Sequence, residues 1–224
     1  MEKLERFYKF VDSVLIIIIV YLEGRVAEGL EAGGVKNFWT LLVVSAVILI
    51  LVFEFLGWLI QKAVENISWI KMMILGSDYI EGTWFDVVET NGTRFYGLYT
   101  ISYMEGRILQ EGDQVSSEGK VVNSWKTVAS NYQDHTLSIL YKVQYFDEQR
   151  IDHPYGISFT SFSSPSSRKV PLVLNGIFYD ISTKLINEAY RGFKVVDKNL
   201  LKELNNPEEN GRALKTLMSH SYLG

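Results

Sequence analysis

The chain has 224 residues, 47% hydrophobic and 21% charged, with a formal net charge of −4 and no cysteine. That length holds one ordinary domain plus a membrane anchor, not two full domains. The acidic balance argues against a nucleic-acid polymer as partner, though one Arg or Lys still suffices for a small anion; the missing thiols exclude disulfides and thiolate metal centres.

Charge is nearly absent from two N-terminal stretches and evenly mixed after about Ser77. The first stretch is SVLIIIIVYL, Ser13 to Leu22, preceded by Lys9, Phe10, Val11 and Asp12. No small-x-small cleavage site follows it, and the next residues are Glu23, Gly24 and Arg25, so a membrane span is favoured over a signal peptide. A full span recruits Phe7 to Phe10 and Val26 or Ala27, with Lys9 snorkelling outward. Glu23 to Asn37 then reads as a short connecting loop. The second stretch, FWTLLVVSAVILILVF from Phe38 to Phe53, is uncharged and continues past Glu54 as FLGWLI to Ile60. Roughly 20 residues at 1.5 Å each cross a bilayer core of about 30 Å. Trp39 and Trp58 stand near its ends, where amphipathic rings favour the interface. The expectation is a two-helix transmembrane hairpin.

Asp12 and Glu54 lie toward the same side of that hairpin. They read either as interfacial carboxylates or as membrane-assembly residues making polar contacts between protomers. Lys3, Arg6, Lys9, Lys62 and Lys71 flank the hairpin's two outer ends, whereas the loop sets Arg25 and Lys36 against Glu23, Glu28 and Glu31. The positive-inside rule puts both termini in the cytoplasm.

From Gln61 to Leu75 the apolar residues Ala63, Val64, Ile67, Ile70 and Ile74 keep helical spacing, predicting that the second span continues as an amphipathic helix. Gly76, Ser77 and Asp78 mark the boundary between residues 1–76 and a domain over 77–224. The period then changes to two. Thr83 to Val88 is a strand closed by the turn signal Thr90-Asn91-Gly92. Further strands are predicted over Arg94 to Tyr103, Arg107 to Gln110, Lys120 to Ala129, Thr136 to Phe146, Gly156 to Phe162, Leu172 to Asp180 and Gly192 to Val196. Glu111-Gly112-Asp113, Asn131 to Asp134 and Ser163 to Ser167 separate them. Roughly eight strands without helical crossovers point to an antiparallel up-and-down β-barrel or a sandwich, the barrel preferred because it has no free edge. Helical spacing returns at Leu200, Leu201 and Leu204, with a second short helix over Arg212 to Met218.

The histidines, His135, His153 and His220, are scattered and give no metal-ligand spacing. There is no phosphate-cradling glycine loop and no nucleophile elbow. Asp86 and Asp180, near strand ends, read as turn or solvent residues. No enzyme, metal or cofactor is expected. What stands out is aromatic and hydroxyl density on alternating strand faces. Period-two counting groups Arg94, Tyr96, Leu98, Thr100 and Ser102; Val121, Asn123, Trp125 and Thr127; and Leu137, Ile139, Tyr141, Val143 and Tyr145. A lining of rings, hydroxyls and Arg suits a planar, polar, anionic ligand. The face pointing inward stays open, because a one-residue shift inverts it.

Two membrane helices leading into a β-barrel, with GTWFD at Gly82 to Asp86, RFYGLYTI at Arg94 to Ile101 and NGIFYD at Asn175 to Asp180, make the chain resemble a known group. These are the two-transmembrane, β-strand-rich effectors of bacterial CBASS anti-phage systems, the CD-NTase-associated proteins. The resemblance covers essentially the whole chain. It implies a protein of the bacterial inner membrane with a cytoplasmic barrel. A partner nucleotidyltransferase makes a cyclic dinucleotide during infection; the barrel binds it, the protein oligomerises, and membrane disruption kills the cell. Chosen by chemistry and strand position, the expected ligand-binding residues are Arg94, Tyr96, Thr100, Trp125, Tyr141 and Arg191. Two other readings stay open: a membrane-tethered, lipocalin-like barrel for an apolar molecule, with which Gly82-Thr83-Trp84 is compatible, and a scaffold without ligand.

Overall fold

A computed structural model describes residues 2–34, 37–90, 92–104, 107–146, 155–164, 170–180, 187–206 and 208–220. The chain divides into two compact units, Met1–Leu75 and Gly76–Gly224.

The first unit is helical: α1 (Glu2–Ala32), α2 (Phe38–Asn66) and α3 (Ser68–Leu75). The expected loop from Glu23 is mostly helix instead. Ala27, Glu28, Leu30, Glu31 and Ala32 favour helix strongly enough to carry Gly24 and Gly29, and Arg25 pairs with Glu28 at 3.5 Å along the turn. The helix stops where Gly34 takes φ +98°. Asn37 caps α2, its side chain accepting from the N–H groups of Trp39 and Thr40 at 3.0 and 3.3 Å. Gln61 to Leu75 is not one continuous helix either. Asn66 turns its side-chain amide back onto the Lys62 carbonyl at 2.8 Å, Ile67 is extended at φ −107° and ψ 97°, and α3 restarts at Ser68.

Lys3 donates to the Leu75 carbonyl at 3.1 Å, bringing the start of α1 beside the end of α3. Leu4, Leu15, Ser45, Leu49 and Val64 are buried, while Ile17, Val20, Ile50, Leu51 and Phe55 are exposed. Among the described residues one helix, Trp39–Asn66, is long and apolar enough to cross a membrane. α1 falls short of that, because Lys9, Asp12, Glu23 and Arg25 bracket an apolar run of only Ser13 to Leu22, so the two-helix hairpin expected from the sequence is not shown.

The second unit is a closed antiparallel barrel whose strands follow one another in chain order: β1 (Gly82–Thr90), β2 (Thr93–Met104), β3 (Arg107–Ser116), β4 (Val121–Gln133), β5 (Thr136–Tyr145), β6 (Tyr155–Ser163), β7 (Val173–Asp180) and β8 (Asn187–Lys194), with β8 pairing back onto β1. The barrel is therefore the architecture expected. β8 starts at Asn187 rather than Gly192 and ends at Lys194 rather than Val196, and β3 and β4 run well past their expected ends. β3 passes through Glu111-Gly112-Asp113, since Gly112 sits where a Cβ would run into Leu98 and Tyr99 of β2: here glycine serves close approach, not a turn. β4 runs to Gln133, and the reversal is made by Asp134 and His135, both left-handed at φ 49° and 60°. Asn91 and 165–167 of the expected turns lie outside the described residues, as does His153.

Helices α4 (Lys198–Leu204) and α5 (Asn210–His220) cover one outer flank of the barrel. Leu217 and Met218 of α5 form a core with Phe85, Tyr96, Val115 and Val195, and Leu200, Leu201 and Leu204 of α4 pack against it with Val87, Leu98 and Phe193. This cover fixes the two faces of β1 and β2. Phe85, Val87, Tyr96 and Leu98 point outward beneath the helices, so Trp84, Asp86 and Val88 point inward together with their cross-strand partners Tyr99, Gly97 and Phe95.

The barrel interior as candidate site

Alternation carries the inner face around the barrel: Gln110 on β3, Trp125 on β4, Leu137, Ile139 and Tyr141 on β5, Ser158, Thr160 and Phe162 on β6, Leu174 on β7, and Tyr190 and Lys194 on β8. Glycines stand among them, and several side chains lie flat against the wall across the backbone of a neighbouring strand. A Cβ on Gly156 would strike the Tyr141 ring, one on Gly176 the Tyr190 ring, and one on Gly97 the Asp86 carboxylate. Rings and carboxylate thus lie over the neighbouring strands, against the wall.

Asp86 is the central polar group. It is only 7% exposed and accepts a hydrogen bond from the Gly97 N–H at 3.0 Å. Burial pushes its pKa up to about 7, against the opposing effects of the Tyr99 hydroxyl and the Gly97 N–H. Tyr99 Oη acts on Asp86 electrostatically but has no partner in full hydrogen-bond geometry. The Tyr190 hydroxyl is bonded to Thr160 Oγ1, and burial raises the pKa of both phenols. Ser158 Oγ and Gln110 Oε1 are buried without a geometric partner as well. Buried polar atoms are normally satisfied; here Tyr99 reaches only Asp86 and Ser158 only Tyr190, while Gln110 Oε1 has no partner, so this polar concentration marks a place built to hold water or a polar guest.

The segment next to residue 76 packs against one end of the barrel. Ile80 is fully buried; its carbonyl accepts from Trp84 Nε1 at 2.8 Å, and Tyr103 donates to the Asp78 carbonyl at 2.7 Å. Lys194 Nζ lies 4.7 Å from the centre of the Tyr79 ring and 5.7 Å from that of Trp84. Burial brings the Lys194 amine down to about 8, opposed by the Glu81 carboxylate. His135, from the β4–β5 turn, reaches Asp78 at 3.1 Å.

The six residues expected to bind ligand do not meet. Trp125 and Tyr141 are on the inner face, Trp125 with its ring 5.9 Å from that of Tyr99. Tyr96 is outside, stacked on Phe85 at 5.7 Å under α5. Arg94, Thr100 and Arg191 are also outward; Thr100 and Arg191 are exposed, and Arg94 pairs with Glu89 at 3.3 Å. On β2 the face left open by the sequence is settled by the helices: Tyr96 and Leu98 lie beneath them, which puts Arg94 and Thr100 outward as well. Asp86, read as a turn or solvent residue, is instead buried inside. The side chain of Asp180 is outside the description. Asp12 and Glu54 are both exposed on their helices. β3 to β5 also frame an open groove of about 490 Å³ whose lining includes Glu111, Asp113, Trp125, Lys126, Lys142 and Val143, with its charges balanced. No group of His, Cys, Asp or Glu that could hold a metal occurs among the described residues.

The fold and interior define an eight-stranded up-and-down barrel with a buried polar lining, joined to a helical unit that contains one membrane-length apolar helix. Comparison with protein-family models, curated proteins and solved structures finds no match.

Proposed function

We propose that the chain is a membrane-anchored receptor and effector whose barrel takes up a small polar ligand. The observation that carries this is the barrel lining: Asp86, Tyr99, Gln110 and Ser158 are buried on the inner face, and the last three hold polar atoms without geometric partners. An interior for an apolar guest has no use for such groups, since each costs about 1–3 kcal/mol when left unmet. The resemblance to CBASS effectors supplies the rest of the reading. The ligand is a cyclic dinucleotide made by a nucleotidyltransferase, α1 and α2 cross the inner membrane as a hairpin with the barrel in the cytoplasm, and ligand binding drives oligomerisation and membrane disruption. The exposed apolar side chains of both helices support a lipid-facing hairpin.

A ligand shifts assembly only by its differential affinity for the assembled and unassembled states. Full-length protein in lipid nanodiscs, titrated calorimetrically with a panel of cyclic dinucleotides, should bind one of them saturably, with at least tenfold weaker binding after Trp125→Ala. Silence across the panel from a folded protein defeats the receptor reading for this ligand class. Within the same reading Asp12 and Glu54 make shared polar contacts between protomers, so Asp12→Leu/Glu54→Leu should spare ligand binding while abolishing toxicity in growing cells. Undiminished toxicity removes both carboxylates from assembly.

A further inference from the structure

We propose that Asp86 reads the ligand, and that what sits against it is a group donating N–H hydrogen bonds, such as the amino and imino edge of a nucleobase, rather than a phosphate. This rests on the receptor reading of the barrel and adds which part of the ligand goes inside.

Three observations converge. The first is a cradle. Both cross-strand neighbours of Asp86 are glycines, Gly97 on β2 and Gly192 on β8; a Cβ on Gly97 would run into the Asp86 carboxylate, and one on Gly192 into the Phe85 carbonyl and the Asp86 Cβ. The wall is thinned on both sides of one carboxylate. The second is unused capacity. An ionised carboxylate offers about four acceptor positions; the Gly97 N–H takes one and the Tyr99 hydroxyl another, which leaves about two. Gln110 Oε1, another pure acceptor, is buried with none taken. The third is charge. Arg94 and Arg191 stand on the outer face, and Lys194, the next inward residue of β8 beyond Gly192, has its Nζ turned over the Tyr79 and Trp84 rings. A phosphate seated at mid-barrel would face a carboxylate, whereas an N–H edge would meet acceptors.

Ligand donors stabilise the ionised form, so binding must expel the proton Asp86 carries when its pKa is near 7. The titratable groups facing Asp86 are Tyr99 from β2 and Tyr190 from β8, both shifted upward and neutral through this range. β6 contributes the hydroxyls of Ser158 and Thr160. Glu188 and Lys194 lie further along β8, one toward each end.

The test is calorimetry on full-length protein in nanodiscs, at pH 6, 7 and 8, in buffers of different ionisation enthalpy. The probes are guanosine, cytidine, cyclic di-GMP, cyclic di-AMP and inorganic phosphate. The expected result is net release of protons on binding at pH 7, more at pH 6 and less at pH 8. Asp86→Asn should lose the release and bind at least tenfold more weakly. The proton count in the unsubstituted protein stands even if that variant misfolds. Nucleoside binding with proton release supports the inference even if no cyclic dinucleotide binds, in which case only the messenger reading fails. A cyclic dinucleotide that binds without proton exchange and equally well to Asp86→Asn overturns the inference and leaves the receptor intact. Proton uptake on binding, or tight binding of inorganic phosphate alone, also overturns it. Failure of every probe to bind a folded protein overturns both.

Discussion

Asp86 and Gly97 face each other across β1 and β2, and the space for one is the missing side chain of the other. Gly97→Ala would drive a Cβ into the Asp86 carboxylate, an overpacking that costs about 1–3 kcal/mol. In an Asp86→Ala background the same change should be nearly free. Chemical denaturation of the four members of that cycle measures the coupling, and equal costs in both backgrounds would separate the two residues. Tyr190 offers a parallel case. Its hydroxyl is bonded to Thr160 in the interior, so Tyr190→Phe removes a hydrogen bond but leaves the ring over Gly176. A loss of about 1–2 kcal/mol is expected, because Thr160 Oγ1 is left buried without its partner.

At the scale of elements, α5 is the most sensitive cover of the barrel. Leu217 is 1% exposed and lies in the cluster that holds Phe85 and Tyr96. Leu217→Ala should cost about 2–5 kcal/mol in denaturant unfolding; a loss below about 1 kcal/mol would mean the helices are ornaments on a self-sufficient barrel. This cover also explains what the sequence made legible. Eight alternating segments counted the strands correctly, because each has one buried face and the turns between them are short. Alternation cannot say which face is covered by something distant, and β2 shows the limit. Tyr96 and Leu98 look like a lining, but residues about 120 positions later claim them. Gly112 and Asp86 were misread for a related reason: glycine and aspartate are turn residues by frequency, and only the neighbouring strand reveals close packing or a buried carboxylate. The signal available was local. Asp86 is flanked by Trp84, Phe85, Val87 and Val88, an apolar setting that a turn residue seldom has. In α1, charge spacing marked where the apolar run ends but not where the helix ends.

For the whole molecule, two interior groups set opposite slopes in the pH dependence of stability. Asp86 has its folded pKa raised from 3.8 to about 7. The folded state then keeps a proton that the unfolded chain has lost, so stability falls as pH rises from about 4 to 7 and levels above that. Lys194 has its folded pKa lowered from 10.5 to about 8. Here the unfolded chain binds the extra proton, so stability climbs from about pH 8 toward 10. The melting temperature of the full chain in detergent should therefore pass through a shallow minimum between pH 7 and 8. Asp86→Asn should flatten the acidic arm and Lys194→Met the basic one; a profile unchanged by either substitution would assign the slopes elsewhere.

Seven of the eight strand pairings join neighbours in sequence, and the eighth, β1 to β8, joins segments roughly a hundred residues apart. Local hairpins close quickly, whereas a long loop must be ordered before the last pairing gives anything back. The seam is thus the late step of folding. It carries the Asp86–Gly192 pair, and α4 and α5 pack over Phe85 on one side and Phe193 on the other. During synthesis the apolar helix α2 leaves the ribosome long before β8 does. Until the final strand arrives, the barrel is an open sheet with two raw edges in a chain that already exposes a long apolar helix, the interval in which a nascent chain of this design most needs a chaperone.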